Sequence, residues 1–247
     1  MTESNIKNTI CKEYCYRDKL SNNYGYNVGK LDSVELVVFD MDGVLTNILS
    51  SWKYIHDYFH TSNDRSVQDY LKGKIDDMEF IRRDAALWQE NGKPIKSKRL
   101  VEILSDVPLT TGARNCISFL QSNNVVTAIV SAGLDILANR IADLIGVDHV
   151  FANGIKSDED GFLTCEGVVD VRLMHKEDSI LRLSESLDIT LNNIVSVGNS
   201  CFDISMFDVS GLGVAFNPED DCVRRAADFV FEGSDLCMIL PVFEKFF

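Results

Sequence analysis

Residues 34–46, VELVVFDMDGVLT, join an apolar, β-branched run to a turn that carries two carboxylates. The run over residues 34–40 predicts a strand buried on both faces, as in parallel sheets. Asp40 and Asp42 follow at its exit, and side chains two apart in an extended segment point the same way. Such close like charges repel unless a cation lies between them or one is protonated. The stretch therefore predicts a buried strand that ends in a paired-carboxylate site.

Similar apolar runs recur along the chain, at residues 125–131, 149–153, 193–198, 212–216 and 228–231. Segments with helical periodicity separate them. Strands that alternate with helices predict an α/β fold with a doubly wound parallel sheet. Residues 157–167, SDEDGFLTCEG, instead predict a β-hairpin with an Asp-Gly turn.

Residues 48–107 break this alternation, because four helical stretches occur there without a convincing strand. The interval begins just after the first strand, so it is expected to stand over that strand's C-terminal end as a helical cap domain. The predicted organisation is a polar N-terminal extension over residues 1–32, an α/β core over residues 33–47 and 108–247, and the inserted cap over residues 48–107.

The composition limits the classes of partner. The 247 residues are 45% hydrophobic and 25% charged, with a formal net charge of −14. That charge disfavours nucleic acids and anionic membranes as partners but permits a small anionic substrate at a locally positive site. Since no apolar run is long enough to span a bilayer and the N-terminus lacks an apolar signal core, we expect a cytoplasmic protein.

Two further segments carry groups suited to phosphate. Ser131 ends a buried run, and the small residues Ala132 and Gly133 are expected to open a helix, where free N–H groups can hold a phosphate together with the hydroxyl. Lys176 lies near the start of a predicted helix, an unusual place for a lysine, and can offset phosphoryl charge. A simple N-cap and a solvated lysine are the structural alternatives.

The stretch SVGNSCFDISMF, residues 196–207, places Asn199 and Asp203 where a strand hands the chain to a helix. Ligands of open α/β sheets bind at that edge. Oxygen ligands at strand ends suit Mg²⁺, which keeps several waters and takes few protein ligands. Asn199 can offer its amide oxygen to the cation but brings no charge.

These motifs together resemble the haloacid dehalogenase-like phosphatases, and within them the phosphoserine phosphatase-like branch. The resemblance extends over about residues 34–241. It is carried by VVFDMDGVLT (37–46), AIVSAGLDILANRIADLIG (128–146), MHKEDSI (174–180) and VSVGNSCFDISMFDVSGLGVAFNP (195–218).

The resemblance implies a Mg²⁺-dependent phosphomonoesterase that acts on a small phosphorylated metabolite. Asp40 would be the nucleophile that forms an aspartyl-phosphate, and Asp42 the general acid and then the general base. The remaining implied roles are phosphate binding by Ser131, Ala132, Gly133 and Lys176, and metal binding by Asp40, Asp42, Asn199 and Asp203.

Two departures keep alternatives open. Asn199 stands where the family normally has Asp, so we also consider a catalytically weakened protein that binds a phosphorylated ligand or a protein partner, or a phosphotransferase. Leu49 occupies the position at which phosphoserine phosphatases use a Glu for the substrate amine. Arg83, or the adjacent Arg82, is the counterpart of the arginine that holds the substrate carboxylate.

Overall fold

The computed structural model describes residues 31–247; residues 1–30, most of the predicted N-terminal extension, lie outside the described residues. The strands in this range are β1 (Leu36–Phe39), β2 (Gln89–Glu90), β3 (Lys93–Pro94), β4 (Val126–Leu134), β5 (His149–Ser157), β6 (Leu163–Val168), β7 (Ile194–Gly198), β8 (Leu212–Phe216) and β9 (Phe229–Phe231).

Seven of these strands form the central sheet, in the order β6-β5-β4-β1-β7-β8-β9. Neighbouring strands are parallel except for β6, which returns antiparallel to β5 as the predicted hairpin. β1 lies in the middle, where Phe39 is paired with Ile129 of β4 and Val197 of β7. The residue after Phe39 therefore emerges between two neighbouring strand ends.

Helices cover both faces of the sheet. They are α1 (Ser51–Tyr58), α2 (Asp64–Leu71), α3 (Asp77–Ala86), α4 (Ser97–Leu104), α5 (Ala113–Ser122), α6 (Asp135–Ile145), α7 (Glu177–Leu187), α8 (Ile204–Asp208) and α9 (Asp221–Ala226). Val37 and Phe39 of β1 pack in one apolar cluster with α4, α5 and α6, while Leu36 and Val38 pack in a second with α7, α8 and α9. This arrangement confirms the predicted doubly wound α/β fold.

The interval 48–107, here called the insert, contains α1 to α4 and the small β2-β3 hairpin, and none of its strands joins the central sheet. Its buried apolar side chains fall into two groups. Ile55, Trp88 and Leu100 are buried in the same cluster as one face of the sheet, whereas Tyr70 and Leu71 of α2 and Ile81 of α3 are buried outside both sheet clusters. The insert thus shares only part of its packing with the core, and its status as a separate cap domain stays a prediction.

The β5-β6 hairpin also packs against the insert and forms hydrogen bonds with it. The Leu163 N–H donates to the Ile95 carbonyl at 2.9 Å, and the Ser97 N–H donates to the Gly161 carbonyl at 2.9 Å. A methyl group added at Gly167 of β6 would lie 2.9 Å from Ile81 of α3, so the helix packs directly on the strand. Within residues 31–247, no helix is both long and apolar enough to cross a membrane.

Leu100→Ala tests the shared packing of insert and sheet. Leu100 is 1% exposed in the common cluster, so we expect the free energy of unfolding to fall by about 2–5 kcal/mol. The neighbouring Val101 is 49% exposed, and Val101→Ala should change it by less than about 0.5 kcal/mol. Chemical denaturation measures both. Two separate transitions, with only one shifted by Leu100→Ala, would show instead that the insert unfolds on its own.

Candidate active site

A buried ammonium group joins two carboxylates at the C-terminal edge of the sheet. Asp40 follows β1, and its N–H donates to the Val197 carbonyl at 2.9 Å. Lys176, at the N-terminus of α7, donates from Nζ to Asp40 Oδ1 at 2.9 Å and to Asp203 Oδ1 at 2.6 Å. All three side chains are almost fully buried. The structure thus brings together three predicted site residues from distant parts of the chain.

The charges of this group are strongly perturbed. Burial and the neighbouring Asp203 raise the pKa of Asp40 to about 7, against the opposing effect of Lys176. Burial favours the neutral amine of Lys176, but Asp203 and Asp40 outweigh it and raise the lysine pKa above its ordinary value. Lys176 is therefore held in its charged form, and the carboxyl groups of Asp40 and Asp203 both bond to its ammonium group.

Asp203 is committed to this arrangement through both of its oxygens. Oδ1 accepts from Lys176, and Oδ2 accepts from the backbone N–H groups of Asn199 and Ser200, each at 2.9 Å. The Ser200 hydroxyl adds a third bond to Oδ2 at 3.1 Å. Asp203 therefore holds the turn and the lysine in place and presents no unengaged oxygen.

Asp42 is held at the start of α1. The Ser51 N–H and the Ser51 hydroxyl donate to Asp42 Oδ2 at 2.8 and 2.9 Å. Asp42 Oδ1 is buried and has no hydrogen-bond partner among residues 31–247. Burial raises the pKa of Asp42 to about 6, although the Ser51 bonds oppose the rise. This carboxyl group is therefore poised to exchange a proton near neutral pH.

The segment after Val130 departs from the expected strand-to-helix turn. Ser131, Ala132 and Gly133 continue β4 in extended form with a shifted register, and α6 begins only at Asp135. The expectation that the small residues open the helix was therefore wrong by a few residues. The Ser131 hydroxyl accepts from the Gly133 N–H at 3.2 Å, and a methyl group on Gly133 would lie 2.8 Å from Asp42 Oδ2. Gly133, one of the predicted phosphate-binding residues, thus lies beside Asp42.

Side chains of the insert complete the backbone bonding of this extended segment. The Ser51 hydroxyl accepts from the Leu134 N–H at 3.0 Å, and the Trp52 indole donates to the Ala132 carbonyl at 2.9 Å. Trp52 stacks on Trp88 with ring centroids 5.5 Å apart. These are the two tryptophans of the chain, so its intrinsic fluorescence reports on this site.

Asn199 lies on the other side of the two carboxylates, against Gly43. A methyl group on Gly43 would lie 2.0 Å from Asn199 Nδ2, and Gly43 has a φ of +79°, so both space and backbone require glycine. Asn199 Nδ2 donates to Glu219 Oε1 at 3.3 Å. Glu219, from the loop after β8, thus joins the site.

The sequence and the fold match those of known hydrolases. A model of the haloacid dehalogenase-like hydrolase family matches residues 34–211. The chain is 28% identical over 208 residues to a phosphoserine phosphatase of Methanocaldococcus jannaschii, covering 83% of this chain and 96% of that protein. The chain belongs to the haloacid dehalogenase-like hydrolases.

Other relatives agree with this assignment. A phosphoserine phosphatase of Haemophilus influenzae is 31% identical over 177 residues, which cover 70% of this chain and 54% of that protein. A structure of a substrate-bound phosphoserine phosphatase complex superposes with a TM-score of 0.73 at 26% identity, covering 86% of this chain and 100% of that chain. The chain is thus an enzyme, a phosphatase of the haloacid dehalogenase-like type.

The arginines predicted to bind substrate lie on α3 and contact its acidic neighbours. Arg82 bonds to Glu79 at 2.5 Å, and Arg83 bonds to Glu79 at 2.8 Å and to Asp69 of α2 at 3.0 Å. The structure records no contact between either arginine and Asp40 or Asp42. Their role in substrate binding in this hydrolase stays a prediction.

Three residues of the site were missed from the sequence. Ser51 and Trp52 lie in the insert and reach the sheet edge only through the packing of α1. Glu219 follows the apolar run 212–216, so the rule that ligands bind at the carboxyl ends of strands offered a means of finding it. Glu219 lies in the stretch PEDDCVRRAA, whose helical periodicity led us to interpret it as part of a helix and not as a site residue.

The residues of this edge fit Mg²⁺. The site is rich in oxygen and short of positive charge, and Asp42 Oδ1 is buried without a hydrogen-bond partner in the part of the chain that the structure describes. Within residues 31–247, three or more His, Cys, Asp or Glu side chains nowhere converge as a metal-binding group. A cation here needs an amide or backbone oxygen, waters and phosphate oxygens as well, which is the way Mg²⁺ is commonly held.

The shifted pKa of Asp40 predicts a cost in stability. Its carboxyl group has an ordinary pKa of 3.8 and a folded-state pKa of about 7, so between these values the folded state binds a proton that the unfolded state releases. The free energy of unfolding should therefore fall as pH rises through this window. Asp40→Asn removes the charge. Without divalent cations, the free energy of unfolding of this variant should therefore exceed that of the wild type by ~1 kcal/mol or more at pH 8.

Chemical denaturation in EDTA at pH 5 and at pH 8 measures this difference, which should shrink at the lower pH. Asp106→Asn, on the exposed surface, is the control and should follow wild type at both values. An Asp40→Asn protein that is less stable than wild type at pH 8 would contradict the prediction.

Proposed function

We propose that this hydrolase is a Mg²⁺-dependent phosphomonoesterase that cleaves a small phosphorylated metabolite through an aspartyl-phosphate on Asp40. The observation that carries the proposal is the buried contact of Lys176 with Asp40, beside the Asp42 carboxyl group, whose pKa is raised to about 6 by burial. A nucleophile, a cation and a general acid then stand at one sheet edge, which is the set that phosphoryl transfer requires.

In the first half-reaction, a carboxylate oxygen of Asp40 attacks phosphorus while the bond from phosphorus to the ester oxygen breaks. Asp42 gives its proton to the departing alkoxide, so the alcohol leaves neutral. In the second half-reaction, water attacks phosphorus, Asp42 takes the water proton, and the bond to Asp40 breaks. Inorganic phosphate and the free Asp40 carboxylate result.

The phosphoryl oxygens need positive charge and hydrogen-bond donors. Lys176 supplies the charge, and the Ser131 hydroxyl and the N–H groups of Ala132 and Gly133 are the proposed donors. Ser51 keeps Asp42 in place, because it donates twice to the oxygen that stays outside proton exchange. The other oxygen, Oδ1, is thus the one that exchanges the proton.

When bound, Mg²⁺ neutralises negative charge on the phosphoryl group and on Asp40. The proposed ligands are the Asp40 carboxylate, the Asp42 backbone carbonyl and the Asn199 amide oxygen. Asp203, which the sequence also indicated as a ligand, contributes through Lys176 and the turn, since protein donors engage both of its oxygens.

Phosphoserine is the first substrate to test, because the relatives that match are phosphoserine phosphatases. Leu49, at 48% exposure, supplies no charge for a substrate amine. The insert is proposed to cover the substrate's alcohol portion and exclude water. A cytoplasmic location and the absence of nucleic-acid or membrane partners remain part of this proposal.

The deciding experiment measures phosphate release from p-nitrophenyl phosphate and a panel of phosphorylated metabolites, including phosphoserine and phosphoethanolamine, with Mg²⁺ or with EDTA. Mg²⁺-dependent release supports the proposal. Binding without release in any arm favours the catalytically weakened protein. Transfer to an added alcohol in preference to water favours the phosphotransferase.

Asp40→Asn should abolish this turnover, by on the order of a thousandfold or more, because the amide cannot attack phosphorus. Phosphate release with the best substrate of the panel measures the loss, and circular dichroism confirms the fold. Arg82→Ala and Arg83→Ala, assayed alongside on substrates with and without a carboxylate, test the two candidate arginines. Near-normal hydrolysis by Asp40→Asn would reject the nucleophile assignment.

A further inference from the structure

The turn after β7 brings little available negative charge to the cation side of the site. Asn199 is neutral, and Asp203 has both oxygens bonded to protein donors. Asp40 also shares its charge with Lys176. Besides the carboxylate of Asp40, a divalent cation held beside Asn199 therefore needs a second carboxylate from outside this turn.

Glu219 lies where that carboxylate is needed. β8 runs parallel to β7 with Gly198 paired to Ala215, so the loops that follow the two strands leave the same sheet edge side by side. The Glu219 N–H donates to the Asn199 carbonyl at 2.7 Å, and Glu219 Oε1 accepts from Asn199 Nδ2 at 3.3 Å. Backbone and side chain of Glu219 thus both contact Asn199.

The neighbouring Asp220 holds this loop in position. Its Oδ2 accepts from the Cys201 N–H at 2.7 Å, and its Oδ1 accepts from the N–H groups of Cys222 and Val223 at 2.8 Å. Asp220 therefore ties the loop after β7 to the start of α9. Glu219 is presented from a braced loop and not from a free end.

Solvent screens the charge of Glu219 only in part. Its side chain is half-buried, and its Oε1 lies 3.3 Å from Asn199 Nδ2. The carboxylate therefore keeps part of its charge beside Asn199, the residue that packs against Gly43.

We propose that Glu219 supplies, from the end of β8, the carboxylate charge that Asn199 lacks at the end of β7, and that Mg²⁺ binding depends on this charge. The inference rests on the proposed function, since it concerns the cation of that same site. With Asn199 at the end of β7, the metal site is then not lost, because Glu219 at the end of β8 carries the negative charge instead.

The test measures Mg²⁺ affinity by isothermal titration calorimetry and by the Mg²⁺-induced rise in melting temperature, with no substrate present. Glu219→Gln keeps a hydrogen-bond acceptor for Asn199 but removes the charge. We expect it to raise the Kd for Mg²⁺ at least about tenfold and to abolish most of the thermal shift. Asp221→Asn removes one exposed charge two residues away, and its Kd should stay within twofold of wild type.

The double variant Asn199→Asp with Glu219→Gln moves the charge back to the end of β7, and it should recover a Kd within about threefold of wild type. The inference is overturned if Glu219→Gln binds Mg²⁺ within twofold of wild type, if the double variant fails to recover, or if wild type shows neither heat nor thermal shift with Mg²⁺.

The outcomes separate this inference from the proposed function. A wild-type protein that binds Mg²⁺ through Glu219 but releases phosphate from no substrate rejects the function and leaves the inference intact. Mg²⁺-dependent phosphate release together with an unchanged Kd in Glu219→Gln does the reverse.

Discussion

The buried contact of one ammonium group with two carboxylates is the constraint on which this structure depends. Removing three ionised groups from water costs several kcal/mol for each ion unless they are closely paired and hydrogen-bonded. Lys176 pairs with Asp40 and Asp203, and the backbone of the turn after β7 satisfies the remaining oxygen of Asp203. The compensation exists only when the end of β1, the end of β7 and the start of α7 meet.

The sheet order follows the same requirement. β1 lies between β4 and β7, so Asp40 emerges with the extended segment of residues 131–134 on one side and the turn of Asn199 on the other. Parallel strands end at one edge, and their loops deliver all the polar groups there. The insert then adds Ser51 and Trp52, which bond to Asp42 and to the Ala132 carbonyl at this edge.

The carboxylates of the site carry more negative charge than the ammonium group of Lys176 neutralises, and this is consistent with the proposed function. Burial and like charge make ionised Asp40 and Asp42 unfavourable in the protein alone, as the raised pKa of each shows. A divalent cation or a protonated carboxyl group relieves that repulsion. This repulsion between buried carboxylates thus occurs where a phosphoryl group is proposed to bind. Perturbed pKa values of this kind are typical of active sites. Glu219 adds to this excess from a neighbouring strand end.

Local patterns determined much of this protein from the sequence alone. Apolar runs separated by helical periodicity predicted the doubly wound sheet, since burial on both faces leaves a direct mark on composition. Asp40, Asp42 and Lys176 were also found there, because each lies next to a strand or helix boundary that the sequence makes visible.

Tertiary structure decided the rest. Oδ2 of Asp203 is engaged within its own turn, where Ser200 and Asp203 form a capping box between residues three apart in the sequence. The bond of Oδ1 to Lys176, 27 residues away, is set only by the tertiary structure. The extension of β4 past Val130 depends on hydroxyl and indole groups of the insert, about 80 residues away in sequence. Glu219 joins Asn199 only because β8 pairs with β7. The free energies of such contacts between distant segments depend on packing and desolvation. These contacts can therefore be identified only in the folded structure.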